Sequence, residues 1–196
     1  MHKIIDNYLP EAEFNELKAN FTPKAVDTQG IINVPWVYLD EQITSNEPAH
    51  LTKVSKVDVV SKVHSWFLSH LMWSGAIQSG TLQYLIPLLA KIDPVAVSRI
   101  QANLTVQQDK KARSKFHIDY AGDNLKQSQM NTSIYYLNTT DGGTLLEDGT
   151  EIDCIANRLV TYPYKTYHSA VLCTDQSYRI VINLNYFKDI EWGNPT

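Results

Sequence analysis

A histidine and an aspartate stand one residue apart in KFHIDYAGDN, residues 115–124. Residues i and i+2 of a strand share a face about 6.5–7 Å apart. His117 and Asp119 can therefore point into one cavity and, with a modest bend at the strand end, converge on one ion. Taken alone the pair is weak, since two polar residues at a strand end arise often by chance. The chain holds six histidines. His2 is terminal, His50 falls in a loop, and His64 and His70 fall in a stretch whose periodicity reads as helical. That leaves His168, at the start of an apolar strand in YKTYHSAVL. Two imidazoles and one carboxylate on one side of a metal make the facial triad of non-haem Fe(II), with three coordination positions open.

Arg179 follows His168 by eleven residues, at the start of RIVINLNYF. A 2-oxo acid that chelates a metal through one end and carries a second carboxylate at the other needs a fixed, planar, permanently charged partner at its far end. An arginine on the strand after the distal histidine meets that need. Strand alternation puts Arg179, Val181, Asn183 and Asn185 on one face, so Asn183 can line the same pocket. A surface arginine at a strand end is the plain alternative.

The elements that must hold these residues divide the chain in two. Residues 1–98 read as a mainly helical support region. A short strand at Lys3 to Ile5 precedes LPEAEFNELKANF, where Phe14, Leu17 and Phe21 recur at helical spacing. WVYLD at 36–40 reads as a strand. Val57, Val60, Val63, Phe67 and Leu71 trace a second helical stripe, and a further helix is predicted between Thr81 and Ile92, ending before Asp93-Pro94. From Arg99 the texture changes to short β-branched and aromatic runs separated by DGG, EDG and ANR turn signals. These predict strands near 100–107, 114–119, 131–138, 143–147, 151–155, 158–162, 167–173 and 178–187. Eight short strands suit a double-stranded β-helix, or jelly roll, over residues 99–187 within an α+β single domain spanning 1–196.

Composition narrows the partners. Hydrophobic residues at 43% and charged residues at 19% are globular values. A net charge of −4 disfavours a nucleic-acid binder, which would need a basic face. Lys110, Lys111, Arg113 and Lys115 lie just upstream of His117, either as a solvated loop or as a basic lip that attracts an acidic substrate, and they keep nucleic acid open as a partner. MHKIIDNYLP has no apolar leader, and Pro87 breaks the longest apolar stretch, so neither a signal peptide nor a membrane span is expected and the protein is expected in the cytoplasm. Cys154 and Cys173 read as small buried apolar residues, and a reducing compartment suits ferrous iron. The oligomeric state is left open.

H-x-D, about fifty residues, H, about ten residues, R resembles the pattern of the Fe(II)/2-oxoglutarate-dependent dioxygenases. TSIYYLNTTDGGTLLEDG with RIVINLNYF is similar to the prolyl 4-hydroxylase branch, and the compact length is similar to small phage-encoded members. The resemblance covers roughly residues 99–187. It implies His117, Asp119 and His168 as metal ligands and Arg179 as partner of the distal carboxylate of 2-oxoglutarate. It further implies Tyr136 as the tyrosine whose hydroxyl joins that arginine, and Ile134 and Leu145 as apolar walls. Relatives usually offer a tyrosine from the strand before H-x-D, whereas ANLTVQQ has Thr105 and Gln107, with Asn103 as a candidate in its place. The implied activity is hydroxylation of a C–H bond with Fe(II), 2-oxoglutarate and O2, prolyl-hydroxylase-like on a peptide. Hydroxylation of a small-molecule metabolite or a nucleobase stays open, as does a non-catalytic jelly-roll binding module.

Overall fold

The computed structural model describes residues 1–23, 34–39, 47–60, 66–119 and 130–189. Helix α1, Glu11–Phe21, buries Phe14, Leu17 and Phe21, the three residues at helical spacing. Glu11 and Glu13 occupy its first turn, where the helix dipole favours negative charge. It stops at Thr22, which is extended, as a residue before proline prefers. A 3-10 helix, Gly80–Leu85, opens with the Ser79 hydroxyl accepting from the Thr81 N–H and runs into α2, Ile86–Ile92. Asp93 ends α2 in the left-handed region and Pro94 follows. No helix among the described residues is long and apolar enough to cross a membrane.

Among the described residues ten strands make two antiparallel sheets. They are β1 (Lys3–Ile5), β2 (Val37–Leu39), β3 (Phe67–Ser74), β4 (Ala96–Val106), β5 (Met130–Tyr136), β6 (Gly143–Leu146), β7 (Glu151–Asp153), β8 (Leu159–Pro163), β9 (His168–Val171) and β10 (Tyr178–Phe187). The larger sheet has the order β1-β8-β5-β10-β4-β3-β2 and the smaller β7-β6-β9. This is a jelly roll. One face of the larger sheet buries Met72, Ile100, Tyr135, Ile180, Ile182 and Leu184 with α1 and α2. The opposite face gives Ile134, Tyr136, Val160, Tyr162 and Val181 to a second core, shared with Leu146 and Ile152 of the smaller sheet. Strand β10 sits between β5 and β4, so its alternation supplies both cores.

The first half of the chain is less helical than its periodicity suggests. Phe67 and Leu71, read as the end of a helical stripe, belong to β3, which pairs with β4 in the larger sheet. His70 is therefore a strand residue, held by the Pro35 carbonyl at Nδ1 and by Thr81 at Nε2, and buried away from any metal site. Val57 and Val60 are not helical, and Val63 and His64 lie outside the described residues. Strands β1 to β3 thus extend the sheet into the region read as mainly helical support. The strand expected at 114–119 is reduced to two bridges, Arg113 to Val171 and His117 to His168, which lay this segment alongside β9.

Glycine is demanded at the DGG turn by close approach. A Cβ on Gly143 would stand 2.3 Å from the Ile152 carbonyl oxygen, and one on Gly142 would stand 2.6 Å from that of Val171. The turn signal thus marks the place where β6 presses against β7 and β9.

Candidate active site

His117 and His168 face each other across a reciprocal bridge, each N–H donating to the other's carbonyl at 2.9 Å. Ser114 locks the same pairing further along, its hydroxyl accepting from the Ala170 N–H at 2.9 Å while the Ser169 hydroxyl donates to the Ser114 carbonyl at 2.6 Å. Beyond His117 the chain bends and brings Asp119 back toward both rings. Asp119 Oδ1 lies 3.8 Å from His117 Nε2 and 3.3 Å from His168 Nε2. One ligand atom from each of the three lies within 4.8 Å of the others.

The orientation of each ligand is set by its other polar atom. His117 Nδ1 lies 3.1 Å from the Lys115 carbonyl and His168 Nδ1 lies 3.2 Å from that of Thr166. A carbonyl only accepts, so both Nδ1 atoms carry the proton and both Nε2 lone pairs face the centre. Asp119 Oδ2 accepts from the Asn185 amide at 2.8 Å, leaving Oδ1 free, and Asn185 is braced in turn by Thr132. Such outer contacts fix ligand orientation in metal sites. Burial and the neighbouring His168 push the His117 imidazole down to about 4 against a partial pull upward from Asp119. Burial alone would raise the Asp119 carboxyl, but the two histidines and Asn185 outweigh it and hold the group well below the usual carboxylate range. Neutral imidazoles and an ionised carboxylate are the forms a divalent ion requires.

A cavity continues from the two histidines into the barrel, with about 70 Å³ open to water, room for a few waters or a small acid. Arg179 reaches its far end, and Asn103, Thr105, Ile134, Thr144 and Asn183 line it. Arg179 spends one nitrogen on the Gly143 carbonyl, at 3.0 Å, and on Thr144. Its Nε, the Thr105 hydroxyl and the Asn183 amide oxygen are buried with no hydrogen-bond partner among the described residues. Buried polar groups left open in this way are costly unless a ligand completes them. A carboxylate against Arg179 Nε and the Thr105 hydroxyl would do so, which is the fit expected of the distal end of 2-oxoglutarate.

Most of the residues expected here are brought together: His117, Asp119 and His168 at the centre, with Arg179, Ile134, Asn183 and Asn103 along the cavity. One assignment changes, and another gains an intermediary. Leu145 faces away, into a cluster with Leu51, Phe116 and Val171, and its neighbour Thr144 lines the cavity instead. Tyr136 donates its hydroxyl to Thr144 at 2.7 Å, and Arg179 lies over the tyrosine ring, 5.5 Å from its centroid. Tyr136 thus meets Arg179 directly through its ring and, from its hydroxyl, by way of Thr144. Asn185, Thr105, Thr144 and Tyr162 were not singled out as site residues. Tyr162 lies beside His168, ring centroids 5.2 Å apart and tilted by 50°, with its hydroxyl unpartnered among the described residues. Alternation from Val160 along β8 would have placed it inside.

The basic lip is also revised. Arg113 is buried and bound to Glu47 at 2.5 Å, while exposed Lys110 lies 3.7 Å from Asp58. Arg113 therefore serves the scaffold, not a substrate entrance.

No family model matches the sequence. No curated protein matches it either. Solved structures do. A prolyl hydroxylase from Trichoplax adhaerens, solved with a hypoxia inducible factor peptide fragment, aligns at 18% identity and TM-score 0.54, covering 95% of this chain and 83% of its own. The fold is that of the 2-oxoglutarate and Fe(II) oxygenases. A Pseudomonas putida prolyl-4-hydroxylase aligns at 13% identity and TM-score 0.53, over 96% of this chain and 92% of its own. A 2OG-Fe(II) oxygenase family oxidoreductase from Burkholderia pseudomallei aligns at 7% identity and TM-score 0.58, over 94% and 84%. Likeness at these identities is likeness of fold, and the chemistry has to be argued from the site.

Proposed function

We propose that the protein is an Fe(II)/2-oxoglutarate-dependent dioxygenase that hydroxylates a C–H bond of an organic substrate. The observation that carries this reading is one cavity that joins a two-histidine, one-carboxylate cluster to a buried arginine with an open Nε. When bound, Fe(II) with 2-oxoglutarate and O2 would supply the oxidation, one oxygen atom going to the substrate as hydroxyl and the other to succinate as CO2 leaves. The chain's own part is geometric. His117 and His168 present Nε2 lone pairs because backbone carbonyls hold their Nδ1 protons. Asn185 keeps Asp119 Oδ1 turned to the centre. Arg179 and Thr105 take the far carboxylate, and Phe67, Ile134 and Val181 keep that end dry. No side chain has to act as nucleophile or relay a proton.

Peptide hydroxylation of the prolyl type is the finer reading. It rests on the YYLN…DGG resemblance and on the likeness to two prolyl hydroxylase structures. A non-catalytic binding module on the same fold is the rival. Anaerobic Fe(II) loading followed by addition of 2-oxoglutarate and O2 separates the two. Succinate formation stoichiometric with O2 consumption, both lost in His168→Ala with the fold intact by circular dichroism, is the expected result. Full turnover in that variant, or none in the parent chain, would overturn the assignment.

A further inference from the structure

The chain has four arginines. Arg113 is paired with Glu47 and Arg158 with Asp6, whereas neither Arg179 nor Arg99 has a carboxylate within ion-pair distance among the described residues. Arg179 belongs to the cavity already described. Arg99 lies on β4 directly opposite Asn185, whose side chain reaches Asp119. Paired residues on neighbouring strands share a face. Arg99, Gln101, Asn103 and Thr105 then follow at two-residue spacing along that face, and the last two line the cavity. Six residues of strand put Arg99 about 20 Å from the position of Thr105, so the two open arginines stand toward opposite ends of one face.

Arg99 is half-buried, and the hydrogen-bonded groups beside it among the described residues are neutral. One guanidinium nitrogen donates to the Gln101 amide oxygen, and the Gln101 amide donates to Asn103 at 2.7 Å and to Ser69. Of the five N–H donors a guanidinium carries, this satisfies only part. Leu71, 38% exposed and opposite Gln101 on β3, adds an apolar surface beside it.

We propose that Arg99 anchors a carboxylate of the primary substrate, whose body crosses from β4 over β10 past Asn185 toward the metal ligands. A single planar guanidinium among neutral amides and a serine matches one singly charged, planar anion. The proposal rests on the oxygenase reading, since it treats Arg99 as facing the reacting centre. The carboxylate could be that of a free amino acid or of an acidic side chain in a peptide.

The test uses protein loaded with Zn(II) in place of Fe(II), plus saturating 2-oxoglutarate, so that binding is read without turnover. Calorimetric titration compares free L-amino acids with their amides, and capped tetrapeptides bearing one Asp or Glu with their Asn or Gln counterparts. A carboxylate-bearing probe is expected to bind about 30-fold more tightly than its neutral partner, and Arg99→Gln is expected to erase that difference. A responsive amino-acid pair assigns the α-carboxylate, and a responsive peptide pair assigns an acidic side chain. Equal binding within every pair, equal weakening of both members by Arg99→Gln, or no carboxylate-bearing binder at all would overturn the proposal. Metal and 2-oxoglutarate binding are measured first in the parent chain. Their failure overturns the oxygenase reading itself, whereas their success without discrimination overturns the Arg99 anchor alone.

Discussion

Arg113 and Arg179 are equally buried, each 2% exposed, and the protein treats them in opposite ways. Around Arg113 the chain reaches every nitrogen: Glu47 takes both terminal ones, the Val57 carbonyl takes Nε, the Ser114 carbonyl takes a second bond from Nη1, and the Phe116 ring lies under the guanidinium. Glu47 also accepts the Phe116 N–H at 3.0 Å, so the pair clamps the segment that leads into His117. Around Arg179 the described residues stop short, leaving Nε open and the Thr105 hydroxyl of the same cavity unpartnered. A buried charge completed by its own fold belongs to the scaffold, while one left incomplete in a cavity is waiting for an anion.

Truncating the two arginines should therefore damage different properties. Arg179→Ala should weaken 2-oxoglutarate binding by roughly 3–5 kcal/mol, or two to four orders of magnitude in Kd, with thermal stability unchanged or slightly raised. Arg113→Ala should do the reverse, costing roughly 3 kcal/mol of folding stability because Glu47 is left buried and unpaired. Calorimetry with 2-oxoglutarate and denaturant unfolding of both variants read the two columns. If Arg113→Ala cost only cosubstrate affinity, or Arg179→Ala only stability, the distinction between the two sites would fail.

That contrast was only half legible in the sequence. Arg179 could be placed because β10 alternates cleanly, with Ile180, Ile182 and Leu184 on one face and Arg179, Val181 and Asn183 on the other. Arg113 could not, because its partner Glu47 is 66 residues away in a stretch with no periodic signal. The exchange of Leu145 for Thr144 has a related cause. Every residue of β6 is buried, so hydrophobicity does not say which face points inward, and an error of one residue turns the strand over. Strand β3 hid for the same reason: Phe67 and Leu71 chance to fit a helical spacing, while four of its eight residues, drawn from both faces, are buried. The metal ligands were legible because a facial triad needs fixed residue types. Asn185 shared a predicted face with Arg179, but nothing local tied its amide to Asp119.

Acid should separate the metal end of the cavity from the arginine end. The His117 imidazole falls from its ordinary 6.5 to about 4 in the folded chain, mainly through burial and the neighbouring His168. Between these two values the unfolded chain binds a proton that the folded chain refuses. Stability of the metal-free protein is therefore fully present above about 6.5 and is lost as pH falls toward 4. Metal affinity of the folded chain should hold over most of that window and fall only as pH nears 4, where the His117 imidazole itself takes a proton and has no lone pair to give. Asp119, held below the usual range, stays ionised throughout and contributes no loss there. Arg179 does not titrate in this range. Denaturant unfolding of the metal-free protein from pH 4 to 8 checks the sign, and rising stability on acidification would contradict it.

Tyr136→Phe should give the smallest effect and the sharpest division between contact and support. The Tyr136 hydroxyl donates to Thr144, and Thr144 also accepts, more weakly at 3.4 Å, from Arg179. The phenol is fully buried, and burial pushes its pKa up to about 12, so it remains a neutral donor at any working pH. Removing the hydroxyl loses one neutral hydrogen bond, about 1 kcal/mol of stability, and leaves Thr144 with its contact to Arg179. The ring that lies under the guanidinium is preserved. Cosubstrate affinity should change by no more than about threefold, because the tyrosine steadies the threonine without reaching the anion. A loss approaching that of Arg179→Ala would mean that the hydroxyl turns to the carboxylate when the pocket fills, as the family resemblance implies, and would move Tyr136 from the scaffold side of the comparison to the ligand side.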